Sequence, residues 1–168
     1  MNDDFASLFA YNRWADGRVL EACRALTPEA YAAEPAPGLL SVRATVNHVA
    51  VVTLAWLRGL AGDTDSPIPA EGDLATVDDA ARVLDQAQAV FDALLPTLTP
   101  ERLATPQTLR RRNGQTATLP PWAVLRHVVN HATYHRGQVA SKLKAFGVEQ
   151  PPTDFIRWVF EQQAPPSG

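Results

Sequence analysis

Four stretches of the chain repeat apolar residues at the three- and four-residue spacing of a helix with one buried face. In "DFASLFAYNRWADGRVLEACRA", residues 4–25, Phe5, Leu8, Phe9, Trp14, Val19, Leu20 and Cys23 fall near one side. The Pro- and Gly-containing "LTPEAYAAEPAPGLL" interrupts the pattern. Ser41 then offers an N-cap for a second helix, in which Val42, Val46, Val49, Leu54 and Leu57 keep the period until Gly62. A polar loop leads to Thr76, where "TVDD" predicts a capping box with Asp79 in the place where Glu or Gln is commoner, and a third helix runs on to Leu95. After "PTLTPERLATP", the Asn113-Gly114 pair inside "QTLRRRNGQTATL" predicts a small hairpin or an irregular crossover, although neither arm shows a buried face. The longest helix opens on Pro120 and Pro121 and stops at Gly147, with Lys142 and Lys144 in its last turns, where positive charge suits the helix dipole. "PPTDFIRWVFEQ" predicts a short terminal helix capped by Thr153, and "QAPPSG" a frayed tail. The expected fold is all-α: a single domain over residues 1–168, built as a four-helix bundle with a long crossover containing the small hairpin before the last long helix.

Composition narrows the function classes. A chain of 168 residues, 46% hydrophobic, 20% charged and 8% aromatic, can bury a full core without disulfides. Its formal charge of −3 gives no electrostatic case for nucleic acid or an anionic membrane. No apolar run approaches the ~18 residues that span a bilayer, and two acids stand where a secretory signal would be basic. A cytoplasmic protein is the expectation. Cys23 is the only cysteine and sits in an apolar stripe, where it reads as a small core residue. Any bound metal must therefore be held by His, Asp or Glu.

Three of the four histidines lie in "HVVNHATYHRGQV", at positions 127, 131 and 135. On a helix, His131 and His135 stack one turn apart, about 6 Å along the axis and about 40° in azimuth, so both imidazoles can point at one ion. The residue after His131 is Ala132, so the glutamate base of an H-E-x-x-H protease is missing. No E-x-x-H occurs, which removes the di-iron bundle pattern. His48 is the histidine outside this helix. It is read as lying near the start of the second helix on the face of Leu54 and, less closely, Val52, where a buried imidazole needs partners. If the two helices are neighbours, His48, His131 and His135 converge on a three-nitrogen site suited to Zn, Ni or Fe(II). A third ligand from the same helix would be about 12 Å from His135, so His127 is assigned a supporting or boundary role. Arg136 could hold an anionic group as an auxiliary to catalysis, or pair with an acid on a neighbouring helix. Asn12 and Asn47 could orient a ligand histidine. Trp14 and Trp56 read as core or pocket wall, and Arg110–Arg112 as a solvated edge.

Together "YNRWADGRVL", "SVRATVNHVAVVTLAWL", "HVVNHATYHRGQV" and "PPTDFIRWV" resemble the DinB/YfiT-like family of metal-dependent bundles. The resemblance covers nearly all of the chain. It implies a four-helix bundle, a homodimer, and a divalent ion on His48, His131 and His135 with water as the remaining ligand. It also implies thiol chemistry, since some relatives are thiol-dependent S-transferases or isomerases. The leading expectation is therefore a metal-dependent transferase that adds an external low-molecular-weight thiol to a small electrophilic substrate in detoxification or stress, the reacting group being a metal-bound thiol. The alternatives are a non-catalytic metal-binding stress or sensing protein, and a metal-dependent hydrolase using metal-bound water.

Overall fold

The computed structural model describes residues 2–110 and 114–163. In chain order the elements are α1 (Asn2–Arg24), α2 (Pro28–Ala32), α3 (Val42–Ala61), α4 (Val77–Leu94), α5 (Pro100–Ala104), β1 (Gln107–Arg110), β2 (Thr116–Leu119), α6 (Pro121–Ala145) and α7 (Phe155–Gln163). The four long helices are those expected from the apolar spacing. Their ends are set by local chemistry. Ser41 Oγ accepts from Ala44 N at 3.0 Å, and Thr76 and Asp79 exchange the two bonds of a capping box. Gly62 closes α3 at φ 74, a left-handed setting that a Cβ would strain.

Helix α3 packs against both α4 and α6, and α1 packs against the same two, so α1 and α3 occupy one diagonal of the bundle. Phe5, Leu54, Leu57, Phe91, Leu125 and Leu143 are fully buried between them. Each such side chain contributes roughly 1.5–3 kcal/mol through burial. Phe9 and Phe91 stack with ring centroids 3.7 Å apart.

Shorter elements depart from the expectation. Two segments read as loop carry single helical turns, α2 and α5, each capped by a threonine hydroxyl (Thr27, Thr99) ahead of a proline. The hairpin forms, with Thr108 opposite Thr118, but one arm does have a buried residue: Leu109 is 2% exposed. It lies against Gly59 of α3, where a Cβ would meet Leu109 Cδ2 at 3.9 Å. Of the proposed turn, Gly114 has φ 80, while Asn113 and the arginines 111 and 112 lie outside the described residues, as does the tail from residue 164. Thr153 does not cap the terminal helix. Asp154 O accepts from Trp158 N, and Thr153 O instead accepts the Tyr11 hydroxyl at 2.9 Å. Glu161 then ties α7 to α1, accepting from Trp14 Nε1 and Arg18 Nη2, both at 3.1 Å. Among the described residues no helix is long and apolar enough to cross a membrane.

Candidate metal centre

The Ser41 cap fixes where α3 starts and hence which way His48 faces, two turns further on. Its neighbour α6 presents His131 and His135 from successive turns. The result is a cluster in which one ligand atom from each ring lies within 4.8 Å of the others. His131 Nε2 and His135 Nε2 are 3.1 Å apart, and the His48 ring centroid is 5.2 and 4.9 Å from theirs. The setting of His48 differs from the sequence reading. Six residues separate it from Leu54, a rotation of about 120°, and Leu54 is fully buried whereas the His48 side chain is 37% exposed. His48 is a rim residue beside Val52, open to a ligand from solvent.

The rings are held from behind. His48 Nδ1 lies 3.2 Å from Glu71 Oε1, and His135 Nδ1 lies 2.8 Å from Gln138 Oε1. A side-chain oxygen at Nδ1 requires that nitrogen to donate, which leaves the Nε2 lone pair free to face the cluster. Glu71 is delivered by Asn47. Asn47 is 1% exposed, and its Nδ2 donates to Glu71 O at 2.8 Å and to Leu74 O at 2.7 Å. Asn47 therefore acts on the site through the loop backbone rather than on an imidazole. Nothing in the sequence pattern singles out Glu71, one of several acids in a polar loop 23 residues from His48.

These residues fit a divalent ion. Ligands held ~2.1 Å from a tetrahedral centre are about 3.4 Å apart, close to the separation of the two Nε2 atoms. Burial, with repulsion from His135, His48 and His127, lowers the basicity of His131 to about 4. His135 is lowered too, by burial first, with Gln138 opposing. Both imidazoles are thus neutral at physiological pH, the state that ligates metal. The same shift makes the metal-free protein acid-sensitive. Between about 6.5 and about 4 the unfolded chain binds the proton that folded His131 refuses, so the stability His131 contributes is complete above that window and is lost as pH falls through it. The melting temperature of metal-free protein is expected to fall between pH 7 and pH 5, and His131→Gln to flatten that fall. Equal slopes in the two proteins would contradict the assignment.

His127 is exposed, with its ring 5.4 Å from both His131 and Trp56, and it is outside the set that could share one ion. Tyr134 and Asn130 are exposed, and Cys23 is 0% exposed with its thiol pushed up to about 12 by burial. Arg136 faces inward at 4% exposure, and both its terminal nitrogens are bonded: Nη1 to Asp16 Oδ1 and Asn12 Oδ1, both at 2.7 Å, and Nη2 to Thr133 Oγ1 at 2.7 Å, while Nε is buried without a hydrogen-bond partner. Asn12 Nδ2 completes the network by donating to Asp16 Oδ2 at 2.9 Å. Arg136 and Asn12 thus serve an α1–α6 contact, not the histidines. Burial pushes the Asp16 carboxyl up, opposed by the charge and hydrogen bond of Arg136.

Comparison with known proteins is consistent with this architecture. The chain is 27% identical to Protein DinB of Bacillus subtilis (strain 168) over 165 residues, 95% of this chain and 96% of that one. Among solved structures, a DinB-like protein from Bacillus cereus ATCC 10987 superposes with a TM-score of 0.65 at 21% identity, covering 89% of this chain and 95% of the other. YfiT from Bacillus subtilis, described as a probable metal-dependent hydrolase with an unusual four-helix bundle topology, gives 0.55 at 17% identity over 89% and 91%. At these identities the two structures speak for the fold. The DinB family model matches residues 1–165, and the chain accordingly belongs to the DinB family.

Proposed function

We propose that this protein is a metal-dependent hydrolase of a small molecule, with His48, His131 and His135 as the protein ligands of the ion. The observation that carries the reading is the convergence of three imidazoles from two helices, two of them fixed at Nδ1 by Glu71 and Gln138. A divalent ion such as Zn, Ni or Fe(II) supplies Lewis acidity and activates water at the position that three protein ligands leave open. The chain's own residues supply orientation. Glu71 and Gln138 hold the rings, Asn47 holds the loop that carries Glu71, and burial keeps the imidazoles unprotonated. The hydrolytic description of YfiT adds support by analogy of fold.

Thiol transfer would use the same site and is the second reading. Its nucleophile would come from solution, because Cys23 is buried and its thiol is held protonated. One panel separates the readings. Zinc-loaded protein is offered esters, lactones and amides without thiol, and electrophiles with glutathione, bacillithiol or mycothiol. Hydrolysis that vanishes with chelator and in His131→Ala is the expected result. Consumption of thiol alone would install the transferase, and a metal-dependent rise in melting temperature with neither activity would leave a binding or sensing protein.

A further inference from the structure

Beyond the histidines, the outer face of α3 continues as a groove. Val52 follows His48 by one helical turn, Trp56 by two, and Gly59 by three, and all three line a cavity of about 510 Å³ bounded by Ile68 of the following loop and by Arg110 at the end of β1. That volume is in the range of small-molecule sites, which lie between about 300 and 1,000 Å³. No histidine lines it, but its near end, at Val52 and Trp56, lies beside the candidate metal centre. The Trp56 ring meets the His127 ring edge at 5.4 Å, and His127 is 5.4 Å from His131. The far end, marked by Gly59 and Arg110, lies 11 residues beyond His48, about 16 Å along the helix axis.

The chemistry of the walls is unequal. Val52, Trp56 and Ile68 make the middle apolar, and Gly59 adds no side chain to its wall. Of the two charged residues at the far rim, Asp63 is already engaged: its Oδ1 accepts from Ser66 N at 3.0 Å, and Arg58 Nε lies 3.7 Å from its Oδ2. Among the described residues no acid pairs with Arg110. A cation at the end of an apolar trough selects a molecule with an apolar body and an anionic terminus.

From this we infer that the α3 groove binds the distal part of an elongated substrate, its apolar body lying over Trp56 and its carboxylate or phosphate received by Arg110, with the reacting group reaching the histidines. The inference rests on the histidine cluster being the reacting centre, but the groove can be tested without it. The probes are 6-phenylhexanoate and 6-phenylhexanamide, titrated into metal-free protein and followed by NMR shifts of the Trp56 indole, assigned with Trp56→Phe. The carboxylate is expected to bind about tenfold more tightly than the amide. Arg110→Gln should abolish that preference while leaving amide binding intact. Gly59→Leu, which fills the trough, should weaken both probes at least tenfold. Metal content should be unchanged in both variants, so a protein that takes up no ion yet shows this pattern would defeat the hydrolase reading and spare the groove. Equal affinities for the two probes, or Trp56 shifts unaffected by Gly59→Leu, would overturn the inference.

Discussion

Zinc-loaded wild-type protein is expected to keep about one ion per chain through gel filtration, as a site with three protein ligands should, and His131→Ala to keep none. The reason is geometric. His131 and His135 supply opposed Nε2 atoms 3.1 Å apart, and removing one leaves two imidazoles on different helices with no shared chelate. Four-ligand structural zinc sites carry about 10–16 kcal/mol of binding free energy, roughly 2.5–4 kcal/mol per ligand, so the loss of one nitrogen is expected to weaken affinity roughly a hundred- to a thousandfold. Competition with a chromogenic chelator gives the comparison directly. Glu71→Ala and Gln138→Ala, which free a ring without deleting it, should cost about 10–100-fold. His127→Ala should cost nothing, and a loss there as large as that of His131→Ala would move the site one turn toward the start of α6.

Arg136→Ala is expected to lower the stability of the fold by about 3–5 kcal/mol, because it leaves the Asp16 carboxylate buried without its partner. In a chain of this size that corresponds to a fall in melting temperature of roughly 6–20 °C. The pair is bonded at 2.7 Å, with Asn12 and Thr133 taking further donors, so no exposed substitute is at hand. Exchanging both charges together, Asp16→Leu with Arg136→Met, should recover most of the loss, since an apolar pair removes the desolvation cost as well as the attraction. Urea unfolding of the single and double variants measures both effects. A single-variant loss below about 1 kcal/mol, the range of an exposed pair, would mean that water reaches Asp16.

The long helices and the His131–His135 pair were legible because both follow from helical period, whereas His48 joined the pair only on the condition that the two helices pack together, and through the family resemblance. Apolar residues recur on one side of α1, α3, α4 and α6, and an i, i+4 pair needs only one regular helix to bring His131 and His135 together. Ser41, Gly62 and Thr76 marked ends through side-chain chemistry that acts within four residues. What escaped was decided by partners distant in sequence. Glu71 reaches His48 because Asn47 bonds the intervening loop, and Leu109 is buried because the hairpin packs back onto α3 beside Gly59. His48 was legible as a residue but misplaced on its helix, because Leu54 is turned about 120° from it. Arg136 was ambiguous for the same reason: the sequence shows a cation next to a histidine, and only the packing of α1 on α6 shows that it turns away.

The different directions of Arg136 and the histidines, about 100–140° apart around α6, have a mechanical meaning. One turn of α6 is gripped from inside by α1 and aims its imidazoles outward at α3. The helix is therefore not free to roll about its own axis. A roll of 20° would carry an imidazole on an arm of about 6 Å by about 2 Å, the length of a metal–nitrogen bond, so the aim of His131 and His135 depends on a clamp set about a third of the way round the cylinder from them. Substitutions at Asn12 or Asp16, neither of which is in the three-histidine cluster, would then loosen the ion before they unfold the chain.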